Sequence, residues 1–273
     1  MNLRNLTRLA AFSALLASVS VAAPAALSQE CPVELSALGR VGFDDVWAAV
    51  QSIPNQRGEY ETTAVFEARQ YAALTEIDPV YWIEMPLNGE FVSYDADTER
   101  LIVPVYAAYA GFLITATSAN RLFGVGSDYA RRYINLVGVR ARSESIDTGS
   151  YRGETGLGVQ RNVRQVDQIT RYLFERVDRT GSLLNQRRQA QPDDVWFGVS
   201  VPPADARQVR EGGFWSVVYA PAAPFWASGE ATTRPSVSVA VERREIDRAL
   251  TGDIQCLLLH KANGEVVAFR ATR

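Results

Sequence analysis

The sequence predicts a β-rich α+β fold, in which mainly antiparallel strands form a sheet or a sandwich after two short N-terminal helices. Before Val80 the hydrophobic residues recur with a helical period, and from Val80 onward they alternate with the period of two that strands require. No internal repeat and no low-complexity block interrupts this order. A single domain of mainly antiparallel strands is therefore the simplest account of the mature chain.

The first helix is predicted to run from Phe43 to Ser52. Four of its apolar residues are spaced so that they fall on one face, and these are Phe43, Val46, Trp47 and Val50. Asp44 and Asp45 favour its N-terminal end, because carboxylates are stabilised there by the helix dipole. Pro54 ends it.

A second helix is predicted to begin at Thr62 or Thr63, either of which can cap it by accepting a hydrogen bond from a first-turn N–H. We expect its apolar face to pack inward and its polar residues to face solvent. The apolar face consists of Val65, Ala68, Tyr71 and Ala72, and the polar one of Glu67, Arg69 and Gln70. Pro79 stops the helix, because the residue before a proline is pushed out of the α region.

The lead-in to the second helix carries a resemblance. The run RGEYETTAVFEAR, from Arg57 to Arg69, resembles a segment of exported bacterial proteins of uncharacterised function, where it begins RGEFETT. Those proteins continue into strands with a YDAD turn, which corresponds here to Tyr94 to Asp97. The resemblance covers Pro54 to Arg100. It implies an exported bacterial protein and carries no activity.

Strands are predicted through most of the remaining chain. Asn88-Gly89 is typical of a hairpin turn, here between Val80 to Leu87 and Glu90 to Tyr94. Asp95 to Thr98 is predicted to be a turn in which aspartate side chains cap their own backbone. Further strands are expected at Leu101 to Tyr109, Tyr133 to Arg142, Gly156 to Val163, Val195 to Val201, Phe214 to Tyr219, Val237 to Glu242, Ile254 to Leu259 and Glu265 to Arg270.

Four other segments have their own expected structures. Asp167 to Val177 fits a helix on one spacing of its apolar residues and a strand on another. Pro202 to Arg207 is expected to begin a short helix with proline in its first turn. Pro221 to Ser236, rich in Gly, Pro and Ser, is predicted to be a surface loop. Lys261 to Gly264 is predicted to close a terminal hairpin.

Residues 1–28 are predicted to be a signal peptide, followed by one domain over residues 29–273. Arg4 and Arg8 precede an apolar run from Leu9 to Ala23, and small residues suited to cleavage place the mature start near Ala26 or Gln29. The apolar run is shorter than the roughly 20 residues of a spanning helix. Retention as an anchor is the alternative. Cleavage predicts a periplasmic or secreted protein without a transmembrane segment.

Cys31 and Cys256 are the two cysteines of the chain, and they lie near opposite ends of the predicted mature protein. Exported proteins reach oxidising compartments, where two cysteines pair most simply as a disulfide. The alternative is a pair of buried thiols. The sequence therefore predicts a Cys31–Cys256 disulfide that fastens the mature N-terminus to an apolar strand.

Charge is distributed unevenly along the chain. Residues 29–100 contain 4 basic and 14 acidic side chains, whereas residues 121–188 contain 13 arginines and 7 acids. We hypothesise that an anion binds to four arginines of this segment, Arg131, Arg132, Arg140 and Arg142. Arg140 and Arg142 are expected to share one face of a strand. The alternative is a solvated surface balanced by the acidic N-terminal part. Nucleic acid is not an expected partner of an exported chain with a net charge of −3.

Catalytic signatures give little support to an enzyme. His260 is the one histidine, and it is expected to face solvent at the terminal turn. No Gly-x-Ser-x-Gly, His-Glu-x-x-His or paired Cys/His pattern occurs, so neither a nucleophilic triad nor a metal or other cofactor is predicted. The Gly124 and Gly156 G-x-G pairs lack the third glycine of a dinucleotide site. Asp95, Asp97 and Glu99 alternate as in a calcium loop, but its required glycine and glutamate are missing.

Two classes of function remain. The first is a non-enzymatic binding or assembly module of the bacterial envelope, whose partner is an envelope component or an acidic protein. The second is a carboxylate-dependent hydrolase acting on glycan or peptidoglycan, because acids that are distant in the sequence can meet in the fold. The missing catalytic spacing favours the first.

Overall fold

The structure is a computed structural model that describes residues 31, 38–104, 107, 121–122, 136–154, 158, 160–176, 195–236 and 238–271. These ranges contain three α-helices, α1 (Phe43–Val50), α2 (Thr63–Leu74) and α3 (Pro203–Gly212). Their strands are β1 (Arg40–Gly42), β2 (Tyr81–Pro86), β3 (Ser93–Asp95), β4 (Arg100–Pro104), β5 (Leu136–Glu154), β6 (Gln160–Arg176), β7 (Val195–Ser200), β8 (Phe214–Thr233), β9 (Val241–His260) and β10 (Val266–Ala271).

Most of the strands belong to one mixed sheet, whose order is β1-β2-β8-β9-β6-β5. The pairs β1–β2 and β6–β9 are parallel, and the other pairs of this sheet are antiparallel. Strand β9 is central: β8 runs along one side of it, and β6 and then β10 pair with the other side. A second sheet, β3-β4-β7, is antiparallel. The prediction of a β-rich fold is confirmed, and the sandwich stays a prediction.

Helix α1 forms because its apolar residues have the spacing that covers a sheet. Phe43, Val46, Trp47 and Val50 are all buried, and the helix begins at Phe43 as expected and ends at Val50. The ring of Trp47 meets Trp226 of β8 edge-on, with ring centroids 5.6 Å apart. The indole of Trp226 donates to the carbonyl of Ile53 (2.9 Å), which fixes the chain where it leaves the helix.

Helix α2 has the predicted N-cap, and Glu67 and Arg69 are exposed as expected, but the predicted apolar face does not pack on the core. The hydroxyl of Thr62 accepts from the amide of Val65 at 3.3 Å. Val65 and Tyr71, expected to face inward, are 57 % and 71 % exposed, and no residue of this helix is fully buried. The side that packs on the core ends in Leu74 and continues to Ile77. The alanine-rich face was wrongly assigned to the core, because alanines gain little free energy from burial compared with Leu and Ile.

The Asn88-Gly89 hairpin is not formed. Strand β2 pairs with β1 and β8, whereas β3 belongs to the second sheet. Gly89 instead begins a one-turn 3₁₀ helix, Gly89–Phe91, packed against α3. A Cβ at Gly89 would lie 1.8 Å from the carbonyl oxygen of Arg210, so this glycine permits a close approach between two backbones.

The turn after β3 is formed as predicted. The Asp95 Oδ1 atom accepts from the amides of Asp97 (3.0 Å) and Thr98 (3.4 Å). The hydroxyl of Thr98 donates to the other carboxylate oxygen at 2.8 Å. The alternation of acids in this segment therefore caps a turn, and these bonds hold the pKa of Asp95 below its usual value.

Three long strands differ from the expected boundaries. The ambiguous segment after Asp167 is strand, the end of β6, with Tyr172 and Phe174 buried. The predicted loop from Pro221 to Ser236 is largely wrong, because β8 continues to Thr233. An irregularity between Pro221 and Trp226 interrupts the pairing with β9, and prolines are tolerated at such a point because they have no N–H to donate to a neighbouring strand.

The strand predicted from Val237 to Glu242 was also misplaced. Strand β9 begins at Val241 and runs to His260, and Val239 lies outside it with 55 % of its surface exposed. Val237 lies outside the described residues. The terminal hairpin is confirmed, since β10 pairs antiparallel with the end of β9.

Cys31 and Cys256 form the predicted pair, with their Cα atoms 5.8 Å apart. Cys256 is fully buried in β9, in a cluster with Trp82, Val218 and Leu258. The pair therefore connects the segment before β1 to the centre of the large sheet.

Candidate functional site

The arginines proposed from the sequence are not brought together. Arg131 and Arg132 lie outside the described residues. Arg140 and Arg142 both lie on β5, but a register irregularity falls between them, so that Arg140 is opposite Tyr172 and Arg142 is opposite Arg171. Since Arg171 and Tyr172 are consecutive, they point to opposite faces of the sheet. The expectation that Arg140 and Arg142 share a face was wrong, because the extra residue of a β-bulge reverses the alternation.

Arg142 instead belongs to a row of three arginines. It is opposite Arg171 of β6, which is in turn opposite Arg248 of β9. The buried Arg171 donates from Nε and Nη2 to the Asp44 carboxylate at 2.6–3.1 Å and from Nη2 to Glu144 at 2.8 Å. Arg248 also donates to Asp44, at 3.1 Å. These contacts attach the first turn of α1 to the sheet, so the row of arginines stabilises the packing of α1.

The carboxylate at the centre of this row is ionised. Partial burial by itself raises the pKa of Asp44, but the hydrogen bonds and positive charges of Arg171 and Arg248 outweigh it, and the pKa lies below the usual value. The two carboxylates, Asp44 and Glu144, leave one positive charge of the row uncompensated. The Nη1 atom of Arg171 also has no hydrogen-bond partner.

His260 is fully buried, so its predicted exposure at the terminal turn was wrong. Its ring stacks on Phe214 at 5.7 Å and meets Trp82 edge-on at 5.6 Å. Both sides of this end of β9 are occupied, by β8 and β10, and a strand in the middle of a covered sheet buries either face. The position of His260 next to the terminal turn therefore did not indicate exposure.

The imidazole of His260 is arranged as a neutral group. Nδ1 lies 3.0 Å from the carbonyl oxygen of Lys261, and since a carbonyl can only accept, Nδ1 carries the hydrogen. Nε2 lies 3.8 Å from a carboxylate oxygen of Glu84, beyond hydrogen-bond distance. Burial lowers the pKa of His260. A neutral, enclosed imidazole held between two aromatic rings has the geometry of a core residue.

Lys261, the single lysine of the chain, links the terminal hairpin to α3. Its ammonium lies 2.6 Å from an oxygen of Asp205 and 2.8 Å from one of Glu265. Hydrogen bonds to both carboxylates raise the pKa of Lys261. Asp205 stands in the first turn of α3, where a carboxylate also favours the helix dipole. The start of α3 is therefore fixed to the large sheet.

An open cleft of about 710 Å³ lies along α3. Its other wall is formed by Asn88, Gly89 and Glu90 at the 3₁₀ turn, by Tyr94 of β3 and by Ala96 of the turn after β3. The volume lies within the range of roughly 300–1,000 Å³ that is usual for small-ligand sites. We call this space, with its lining residues, the α3 cleft.

The sequence of α3 positions the charged wall of the cleft. Pro203 stands at the start of the helix, where its fixed φ suits the first turn, as the sequence predicted. Ala206 and Val209 are buried and anchor the helix on the core. Arg207 and Arg210 are three residues apart and both line the cleft.

The opposite wall is held by hydrogen bonds. The side-chain oxygen of Asn88 accepts from the amide of Glu90 at 3.2 Å. The phenol of Tyr94 donates to the carbonyl of Val201 at 3.2 Å, which ties β3 to the chain just before α3. Partial burial, with added repulsion from Glu99 and Asp95, raises the pKa of Tyr94. The phenol therefore stays a neutral donor.

Both signs of charge line the α3 cleft. Arg207 and Arg210 are exposed and make no ion pair with any residue that the structure describes, and Glu90 and Glu211 line the same space. The guanidinium groups can bind a carboxylate or phosphate through two parallel hydrogen bonds. The carboxylates can accept from amino or hydroxyl groups. The start of α3 was predicted from the sequence, but this site was not, because its walls come from distant segments. The signal in the sequence was the pair Arg207 and Arg210 on one helical face.

Within the described ranges, no three His, Cys, Asp or Glu side chains converge as ligands of a metal would. Among the same residues, none of the helices is long and apolar enough to span a bilayer. Comparisons with protein-family models, with curated proteins and with solved structures found no match to this chain.

Proposed function

We propose that this protein is a non-enzymatic binding module of the bacterial envelope, and that it holds an anionic ligand in the α3 cleft. The observation that carries the proposal is the pair Arg207 and Arg210, exposed side by side in a cleft of about 710 Å³ without a carboxylate partner in the described part of the chain. We expect a carboxylate or phosphate group of the ligand to bind these guanidinium groups and displace water from them.

Stabilisation of helix α3 explains only one of the two arginines. Arg210 lies in the last turn of α3, where a cation is stabilised by the helix dipole. Arg207 is in the middle of the helix and gains nothing comparable. Glu90 and Glu211 add acceptors, so the ligand that fits best carries amino or hydroxyl groups beside its acidic group. Peptide-bearing cell-wall fragments have this chemistry.

The location of the protein belongs to the same proposal. We infer that residues 1–28 direct export and are cleaved, and that residues 29–273 act as one domain in the periplasm or outside the cell. The Cys31–Cys256 pair supports an oxidising compartment.

The test is binding of the mature protein to two purified probes, solubilised peptidoglycan fragments and vesicles of anionic phospholipid. We expect binding to peptidoglycan fragments to weaken at least tenfold in the double variant Arg207→Gln/Arg210→Gln and to become less dependent on salt. The matched control is Arg152→Gln/Arg243→Gln, which removes the same charge from exposed positions outside the cleft. Equal affinities of all three proteins would overturn the proposal, and binding to vesicles alone would identify a phosphate ligand instead.

A carboxylate-dependent hydrolase acting on glycan or peptidoglycan is the second candidate, because Glu90 and Glu211 line the same cleft. Paired carboxyl groups are the catalytic groups of most glycoside hydrolases. If the protein is such an enzyme, it releases soluble fragments from peptidoglycan, and both Glu90→Gln and Glu211→Gln abolish the release. Binding without release, unchanged by these substitutions, supports the binding module.

A further inference from the structure

The far ends of the four longest strands form an extension of the large sheet, which we call the arm. In the arm β5, β6, β9 and β8 lie side by side, over residues 142–154, 160–171, 241–248 and 228–233. Paired residues point to the same side, so the register assigns each side chain to one of two faces. One face is covered, since Val166, Thr170 and Asp247 are at most 7 % exposed.

The opposite face carries Ile146, Ile169 and Ile246, and we call it the isoleucine face. Ile169 of β6 is directly opposite Ile246 of β9, and Ile146 lies diagonally across from Ile169 on β5. Ile146 is 45 % exposed, and the other two are half-buried. Helix α1 reaches this face only at its inner end, through Asp44. The isoleucines are therefore accessible to a partner, beside the ion pair of Asp167 and Arg244 in the next row of the same face.

Charge on the isoleucine face changes sign along the strands. At the inner end, the row Arg142, Arg171 and Arg248 exceeds its carboxylate partners by one positive charge. Six residues before Arg248 on β9, Glu242 accepts hydrogen bonds from Tyr151 and Gln165. Glu242 makes no ion pair with a residue in the described ranges. Two such faces placed with their strands antiparallel are complementary to each other.

We propose that two copies of this chain pack with their isoleucine faces together and their strands antiparallel. A two-fold axis that crosses the strands between the rows of Ile169 and Asp167 places Ile169 diagonally across from Ile146 of the partner subunit, and Ile246 opposite Arg244 of the partner subunit. It also places Arg248 of one protomer opposite Glu242 of the partner subunit. Each contact is made twice, as a two-fold interface requires. The two arms form a two-layered packing of sheets that neither chain forms alone.

The size of the face agrees with a reversible dimer. Four strands about 4.8 Å apart, over about eight residues of about 3.3 Å each, cover roughly 500 Å² per protomer. The pair would bury about 1,000 Å², the lower limit of specific protein interfaces. Dimerisation should therefore depend on concentration, and the charge pairs at its two ends make it sensitive to salt.

The oligomeric state tests the proposal. We expect sedimentation equilibrium of the mature protein to show a monomer–dimer equilibrium, and Ile146→Asp to weaken it at least tenfold. The control is Val65→Asp, an equally drastic change at a residue of α2 that is 57 % exposed. A wild-type protein that stays monomeric at all concentrations overturns the proposal, as does a dimer that Val65→Asp weakens as much as Ile146→Asp.

A chemical crosslink keeps the test independent of any folding defect in the aspartate variant. The two native cysteines are paired, so an introduced cysteine provides the free thiol. We expect Ile146→Cys to be joined into dimers by a short thiol-reactive crosslinker and Val65→Cys to remain monomeric. The reverse result would place the contact on α2 and contradict the proposal.

Discussion

The Nη2 atom of Arg171 lies 2.6 Å from Oδ2 of Asp44, and this ion pair joins the middle of β6 to the first turn of α1. Burial by itself lowers the pKa of the guanidinium group, but its hydrogen bonds to Asp44 and Glu144 raise it, so the group stays charged. A buried guanidinium depends on its partners, because it cannot lose its charge on losing one of them.

We expect Asp44→Asn to lower the free energy of unfolding by about 1–2 kcal/mol. Removal of one member of a fully buried pair costs roughly 3–5 kcal/mol, and the smaller value applies because the Asp44 side chain is 51 % exposed. Urea unfolding measures the change. Glu67→Gln, an exposed substitution on α2, is the control, and equal stability of the two variants would show that the pair does not hold α1.

Gly89→Ala should destabilise the protein and weaken ligand binding in the α3 cleft. The added Cβ would meet the backbone oxygen of Arg210, which can move only if α3 or the 3₁₀ turn moves. Overpacking of this kind costs about 1–3 kcal/mol. The control is Gly212→Ala in α3, where a Cβ meets nothing within 4 Å. Thermal unfolding and binding to peptidoglycan fragments are measured together, and a Gly89→Ala protein that matches the control would disprove the close approach.

Stability should fall between pH 7.5 and 5.5, partly because of His260. Its folded-state pKa lies below the usual value near 6.5, so the unfolded chain takes up a proton that the buried ring resists. The lost stability is at most about 1.4 kcal/mol per pH unit for one proton. Glu84 and Arg40, which face the ring, shift this pKa in opposite directions.

His260→Phe removes the titrating group but keeps an aromatic ring beside Phe214. We therefore expect its free energy of unfolding to fall less between pH 7.5 and 5.5 than that of the wild type. Parallel pH profiles of the two proteins would mean that His260 titrates alike in the folded and unfolded chains.

Cys31→Ser should lower the melting temperature without abolishing folding. The pair closes a loop with a sequence separation of 225, for which the chain-entropy model gives about 5 kcal/mol as an upper value. The core strands do not depend on this connection, so the variant should retain its circular dichroism spectrum. Thiol titration of the unfolded, unreduced wild type is the direct check, and two free thiols per chain would refute the pairing.

Export predicts a shortened N-terminus. We expect sequencing of the protein from the envelope fraction to begin at Ala26 or Gln29, after the small residues suited to cleavage. Recovery of Met1 would instead indicate a retained anchor.

The parts of the fold that could be predicted are those set by local rules. The spacing of Phe43, Val46, Trp47 and Val50 located α1, because large apolar residues dominate its burial. The Asp95 turn and the proline start of α3 were likewise predicted from short-range chemistry. Partner strands could not be predicted, since the parallel pairing of β6 with β9 depends on residues far apart in the chain.

The candidate site was missed for the same reason. Arg207 and Arg210 become a site only when the distant residues 88–96 form the facing wall. The error over Arg140 and Arg142 has a different origin, because a single extra residue in β5 reverses which face each side chain occupies. The error over His260 arose because a strand covered on both faces buries polar positions as well as apolar ones.

Amide hydrogen exchange with and without solubilised peptidoglycan fragments tests whether the fragments bind in the α3 cleft. We expect the fragments to slow exchange in residues 88–96 and 203–212, the two walls of the α3 cleft. We also expect Arg207→Gln/Arg210→Gln to remove this protection and Arg152→Gln/Arg243→Gln to retain it. Protection confined to another surface, or unchanged in the cleft variant, would contradict the assignment of the α3 cleft as the binding site.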